Sequence, residues 1–137
     1  MIDEAFRAAW SPRLLSILRL IAGLMFMQHG LSKYFGFPAP SPATFQMYGL
    51  LGAAGAIEIV GGALIAIGLF TRPAALLASG TMAVAYFQFH WKLAMDGWKF
   101  LPGVNGGEPA VLYCFVFLVF ALSGAGALSV DAARGRS

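Results

Sequence analysis

Polar residues are sparse along this chain, and the intervals between them leave four long apolar runs. Residues 14–34, 49–70, 74–94 and 109–128 are each predominantly apolar over the roughly 20 residues that a membrane-spanning helix requires. The pattern predicts an all-α, polytopic membrane protein, a four-transmembrane-helix bundle in which residues 1–137 form a single domain.

The connections between the runs are distinct in kind. "FPAPSPATFQMYG" carries three alternating prolines, Pro38, Pro40 and Pro42, and cannot be a continuous helix; being apolar, it is expected to pack along the outer membrane surface. "TRPAAL" is a tight turn, with Thr71 placed to cap the third helix and Pro73 in its first turn, so helices 2 and 3 should be antiparallel neighbours. The third run closes with "YFQFHWKL", in which Tyr86 and Trp91 suit a membrane interface. The loop "DGWKFLPGVNGGEP" then leads to Glu108 and Pro109, an acid and a proline where a helix start favours both. The fourth run ends in "SGAGAL", whose glycines would allow a second helix, and hence a homo-oligomer, to approach closely.

Composition agrees with the pattern. Hydrophobic residues make up 59% of the chain and charged residues 11%, against roughly 25% charged in soluble domains. The net charge of +3 comes from scattered Lys and Arg without a basic run, which argues against a nucleic-acid partner and leaves the lipid bilayer as the surrounding medium. Arg7, Arg13, Arg72, Arg134 and Arg136 fall on one side of the predicted helices, and Lys33, Lys92 and Lys99 on the other. The positive-inside rule then puts both termini in the cytoplasm and the protein in a bacterial inner membrane, multi-pass. The start "MIDEAFRAAW" is acidic and lacks a cleavage site, so helix 1 should be retained. Ile2, Phe6, Ala9 and Trp10 would share one side of a short amphipathic segment on the inner surface, the alternative being a frayed tail.

Against this background the buried polar positions are informative. In helix 2, Gly52, Gly55, Glu58, Gly61 and Gly62 recur every three or four residues and form one face, a groove with a carboxylate in it. A charge near the bilayer centre costs about 2.5–3.5 kcal/mol on insertion scales, so Glu58 requires a partner. Arg19 is expected to be that partner: counted from the inner ends of the apolar runs, the two are offset by about 7 Å along the helices, giving a buried Arg19–Glu58 ion pair. Such a pair either fixes helix register or serves as a proton carrier or ligand contact. A second polar group gathers at the outer ends: Gln28, His29 and Lys33, then Gln88, His90 and Lys92, then Asn105 and Glu108. His29 and Lys33 lie about −80° and −40° around the helix from Arg19, taking 100° per residue, so these groups would form a vestibule leading down to Arg19 and Glu58. Two histidines and two glutamates lack any HxH, HxxxH or CxxC spacing, so no metal is expected. Cys114, the one cysteine, is apolar in its surroundings and reads as core.

Taken together, "LRLIAGLMFMQHGLSKYFG" with Arg19, His29, Gly30 and Lys33, "EIVGGALIAIGLFTRPAAL" with Glu58, Gly61, Gly62, Arg72 and Pro73, then His90 and "NGGEPAVLY" with Asn105, Gly106, Glu108 and Tyr113, resemble the DoxX family of small four-helix bacterial membrane proteins over about residues 14–128. The resemblance implies a polytopic inner-membrane protein. It also implies a role as membrane subunit of a redox-linked assembly, since some family members are named as subunits of a quinone-reducing oxidoreductase and others are linked to thiol and oxidative-stress systems. On that reading the cofactor would be a quinone whose head group sits among Arg19, Glu58, His29 and His90, with His29 or His90 donating to a carbonyl oxygen and Glu58 carrying protons; Lys33, Asn105 and Glu108 are further ligand-binding or proton-handling candidates, and the partner would be a soluble redox protein. Two other readings stay open: a small transporter or export helper for a solute or metal, and a membrane scaffold for a soluble partner.

Overall fold

The computed structural model describes residues 3–41 and 47–136, and these are helix and loop with no strand among them. Helix α1 runs from Glu4 to Phe35, 32 residues, or about 48 Å at 1.5 Å per residue. It begins earlier than the apolar run because Asp3 caps it: the Phe6 N–H donates to Asp3 Oδ1 at 2.6 Å, and Glu4 complements the helix dipole. Phe6 and Trp10 therefore extend α1 itself, stacked on one another at 5.8 Å, and do not form a separate surface helix. Ile2 of that expected segment lies outside the described residues, as do residues 42–46 of the proline-rich connection.

Helix α2 spans Leu50–Ile67 and is closed by Gly68 at φ 73. Helix α3 spans Thr71–Ala85 and passes into a π-helical segment, Tyr86–Trp91, before the chain turns at Lys92 and Leu93, both at positive φ. The short α4, Pro102–Asn105, precedes α5, Glu108–Ser123. The fourth apolar run thus stops at Ser123: Gly124 and Gly126, at φ 86 and 79, reverse the chain, which ends in the short α6, Val130–Ala133.

Two antiparallel pairs make up the bundle, α1 with α2 and α3 with α5. The first is a backbone-to-backbone contact. A Cβ on Gly23 would lie 2.5 Å from Ala66 N and one on Gly62 would lie 2.7 Å from Met27 N; one turn-pair away, a Cβ on Gly30 would lie 2.5 Å from Gly55 O. Glycines seven residues apart on each helix thus interlock, the small-residue packing that brings helices together where lipid removes the hydrophobic drive. In the second pair, Ala74, Ala75 and Ala78 pack on Phe117 and Phe120, while Phe26 and Ile65 join the two pairs in one core.

The polarity of the molecule is inverted relative to a soluble domain. Arg19, Glu58 and Asp131 are buried, whereas Leu14, Ile17, Leu18, Leu20, Ile21, Leu24 and Met25 of α1 alone are exposed. So continuous an apolar exterior is a lipid-facing surface. Among the described residues two helices, α1 and α2, are each long and apolar enough to cross a membrane, and α5 is a shorter apolar helix.

Candidate functional site

Glu58 sits on the glycine face of α2 as expected, buried with Gly52, Gly55, Gly61 and Gly62. Its partner is Lys33. The Lys33 ammonium donates to Glu58 Oε1 at 2.6 Å and Oε2 at 2.7 Å, with 15% and 4% of the two side chains exposed. Alongside, the Tyr34 hydroxyl donates to Gly52 O at 2.9 Å, and the Tyr34 ring occupies the space a Cβ on Gly55 would need.

The expected Arg19–Glu58 pair is not formed, and helix register explains it. Glu58 is level with Gly30, whose added Cβ would lie 3.0 Å from Glu58 Cβ. Arg19 is eleven residues away along α1, about 16 Å, because α1 continues toward its N-terminus well past the start of its apolar run. Lys33 is one turn from Gly30 and reaches back across.

Arg19 instead terminates α2. Nη1 donates to Ile65 O at 2.7 Å and Ala66 O at 2.9 Å, and Nη2 to Leu128 O at 2.7 Å. A helix leaves its last carbonyls unpaired and its C-terminus partly negative, so a buried guanidinium fork satisfies both. Gly68 is required there, since a Cβ would collide with Arg19 Nη1. The neighbouring helix start is treated in the opposite sense. Thr71 does not cap α3; the N–H groups of Phe70 and Thr71 donate to Asp131 Oδ1 and Oδ2 at 3.0 and 2.9 Å. Burial alone would raise the Asp131 pKa, but the Thr71 N–H and hydroxyl, the Phe70 N–H and the nearby Arg134 charge hold it below the usual carboxylate range. Arg72 donates to Leu122 O at 2.6 Å at the end of α5. Gly126 of "SGAGAL" belongs to the same construction: a Cβ on it would lie 2.5 Å from Ser16 Oγ, and that hydroxyl accepts from Leu128 N–H at 3.0 Å.

The remaining candidates fall in different places. His29 is exposed on α1 with its ring edge-on to Tyr113, centroids 5.9 Å apart. Tyr113 in turn stacks on Phe117 at 5.5 Å, and its buried hydroxyl has no hydrogen-bond partner among the described residues. Besides these ring contacts and those of Phe26 with Tyr113 and Phe117, α1 and α5 leave between them a cleft of about 430 Å³ lined by Leu18, Ile21, Met25, Leu112, Tyr113 and Val116, with Glu108 and Pro109 beside it. His90 is half-buried in the π-helical segment. Asn105 organises a turn, its Nδ2 donating to Lys99 O at 2.9 Å and Tyr86 Oη at 3.2 Å while Oδ1 accepts from Gly107 N–H at 2.8 Å. The single vestibule expected from sequence is therefore divided: Lys33 with Glu58 near one end, Arg19 at the other, and His29 at the α1–α5 cleft.

Comparison with known proteins decides the family. The DoxX family model matches residues 14–91. The chain belongs to the DoxX family. Full-length relatives agree: a Haemophilus influenzae protein described as uncharacterized is 44% identical over 124 residues, covering 89% of this chain and 91% of that protein. "Inner membrane protein YphA" of Escherichia coli is 31% identical over 133 residues (88% and 89%), and "Putative oxidoreductase CatD" of Bacillus subtilis 30% over 122 (84% and 82%). No solved structure matches. The chain is thus a DoxX membrane protein.

Within this DoxX chain the matched segment holds Arg19, Gly30, Lys33, Glu58 and Arg72, whereas α5 and the C-terminal clasp lie beyond it. Sequence reasoning missed Asp131, Ser16 and the Tyr113 hydroxyl. Asp131 had a local signal, a lone acid two residues after Ser129, which caps α6 by accepting from Ala132 N–H at 3.0 Å; its distant partners Phe70 and Thr71 had none.

Proposed function

We propose that this DoxX protein is a four-span inner-membrane protein with both termini in the cytoplasm, the membrane subunit of a redox-linked assembly that holds a quinone-like molecule in the α1–α5 cleft. Four spans follow if α3 and its π-helical continuation cross together with α1, α2 and α5. Arg7, Arg13, Arg72, Arg134 and Arg136 all belong to the Arg19 end, which the positive-inside rule places inward.

The observation that carries the binding reading is Tyr113. An apolar cleft with one buried hydroxyl lacking a partner is the arrangement expected of a site for a ligand that is largely hydrocarbon with a carbonyl. In this reading the ring of the head group lies against Tyr113 and His29, the phenol donates to a carbonyl oxygen, and the isoprenoid tail follows Leu18, Ile21 and Met25 into lipid. Glu58, closed by Lys33, fixes the register of α1 on α2 and takes no part in binding. The name of the Bacillus relative supports a redox setting.

The test is a thermal-shift titration of the detergent-purified protein with a short-chain quinone. The quinone should raise the unfolding midpoint of the native chain, and Tyr113→Phe should lose most of that rise while keeping its ligand-free midpoint. No rise in the native chain, or an equal rise in Tyr113→Phe, would exclude the cleft.

A further inference from the structure

Glu108 stands at the end of the α1–α5 cleft formed by the first turn of α5. Its carboxylate makes no ion pair or hydrogen bond among the described residues, and its Oε1 rests beside Gly103 of α4, which has no side chain to crowd it. At 100° per residue the cleft-lining positions Glu108, Pro109, Leu112, Tyr113 and Val116 cover about 140° of the helix. Glu108 and Tyr113 are the two edges of that arc, about 7.5 Å apart along the axis, the scale of a six-membered ring with an oxygen at either end. We infer that Glu108 makes the cleft selective for the reduced, hydroquinone form of its ligand, by accepting a hydrogen bond from a ring hydroxyl that the quinone lacks, a selectivity that rests on the quinone reading of the cleft.

The argument turns on which groups can donate and which can only accept. The buried Tyr113 hydroxyl, without a partner among the described residues, donates equally well to the carbonyl oxygen of a quinone and to the hydroxyl oxygen of a hydroquinone, so it separates neither form from the other. His29, edge-on to the Tyr113 ring, is equally indifferent, because a neutral imidazole carries one donor and one acceptor. A carboxylate is different: it accepts only. Facing a carbonyl oxygen, Glu108 would set acceptor against acceptor. Facing a ring O–H, it would accept a charge-assisted bond, roughly twice as strong as a neutral one. The rest of the lining, Leu18, Ile21, Met25, Leu112 and Val116 among it, has no side-chain donor to offset the carboxylate at that end. By linkage, a site that holds the reduced form more tightly also makes the bound quinone a stronger oxidant, which suits a subunit that draws electrons from a partner.

The experiment titrates the detergent-purified full chain, under argon, with decylubiquinone, with its dithionite-reduced hydroquinone, and with the O-methylated hydroquinone, which has no O–H to give; affinities are read from the rise in unfolding midpoint. The hydroquinone should bind roughly tenfold more tightly than the quinone, the scale of one hydrogen bond to a charged acceptor, and the methylated compound no more tightly than the quinone. Glu108→Gln should bring the ratio of the two affinities close to one, since an amide can both donate and accept, with the ligand-free midpoint unchanged. Tyr113→Phe should weaken both forms and preserve their ratio. Equal affinities in the native chain, or a preference that survives Glu108→Gln, would overturn the role of Glu108 while leaving the cleft a quinone site. No rise with either form would overturn the quinone reading and the selectivity together.

Discussion

At the scale of single residues, the buried charges of this protein serve helix ends more than one another. Arg19 is the clearest case, because each of its three bonds goes to a backbone carbonyl. Arg19→Met should cost about 2–3 kcal/mol, since it leaves buried acceptors unpaired, and Arg19→Lys should recover less than half, as an ammonium cannot reproduce the planar fork. Equilibrium unfolding in mixed micelles would measure both. Asp131 makes the same kind of contact with the sign reversed, and its lowered pKa links it to pH. A carboxyl whose pKa is lower folded than unfolded contributes stability above its unfolded value of about 3.9, and that contribution is lost as pH falls through the folded value. The native midpoint should therefore fall in acid below about pH 4, and Asp131→Asn should be less stable at neutral pH while showing a weaker decline over that range.

At the scale of helices, the α1–α2 contact depends on having no side chain at four positions. Gly62→Ala would place a methyl 2.7 Å from Met27 N, against backbone that cannot move aside. Overpacking of that kind costs about 1–3 kcal/mol, and Gly80→Ala, where nothing lies within 4 Å, should be near neutral and serves as its control. The glycine face was readable in the sequence because helical periodicity is local: Gly52, Gly55, Glu58, Gly61 and Gly62 are all buried, as their spacing predicted. Register was not readable. Apolar runs give the length that lipid demands but not the level at which two helices meet, which here is set by interlocking glycines. The sequence reading therefore selected Arg19 for Glu58 when Lys33, on the same face, was the residue at the right depth. The reversal at Gly124 was hidden because it lies inside an apolar run, and the change from α to π geometry at Tyr86 because a polar and aromatic stretch marks the end of a span without fixing its helical geometry.

At the scale of the molecule, the segment after α5 acts as a clasp between the two helix pairs. Gly126 and Leu128 lie against α1 through Ser16 and Arg19, Asp131 N–H donates to Gly68 O at 2.8 Å at the end of α2, and the Asp131 carboxylate closes the start of α3. Three helices from both pairs therefore meet on about ten residues that are not themselves long enough to cross a membrane. Removing residues 124–137 would leave the apolar helices and the glycine contact intact while unpairing Arg19 Nη2 and the N–H groups of Phe70 and Thr71 at the start of α3, and leaving Ser16 only its bond to Pro12 O. The shortened chain should still insert in the membrane, but its unfolding midpoint should fall by more than in Asp131→Asn or Ser16→Ala, and protease should cut first at the α2–α3 turn, around residues 67–71. If the clasp works as one unit, the losses from Asp131→Asn and Ser16→Ala combined will be smaller than their sum, because either change alone already loosens the segment. Strictly additive losses, with no new cleavage at the turn, would show instead that each contact holds its own helix end independently.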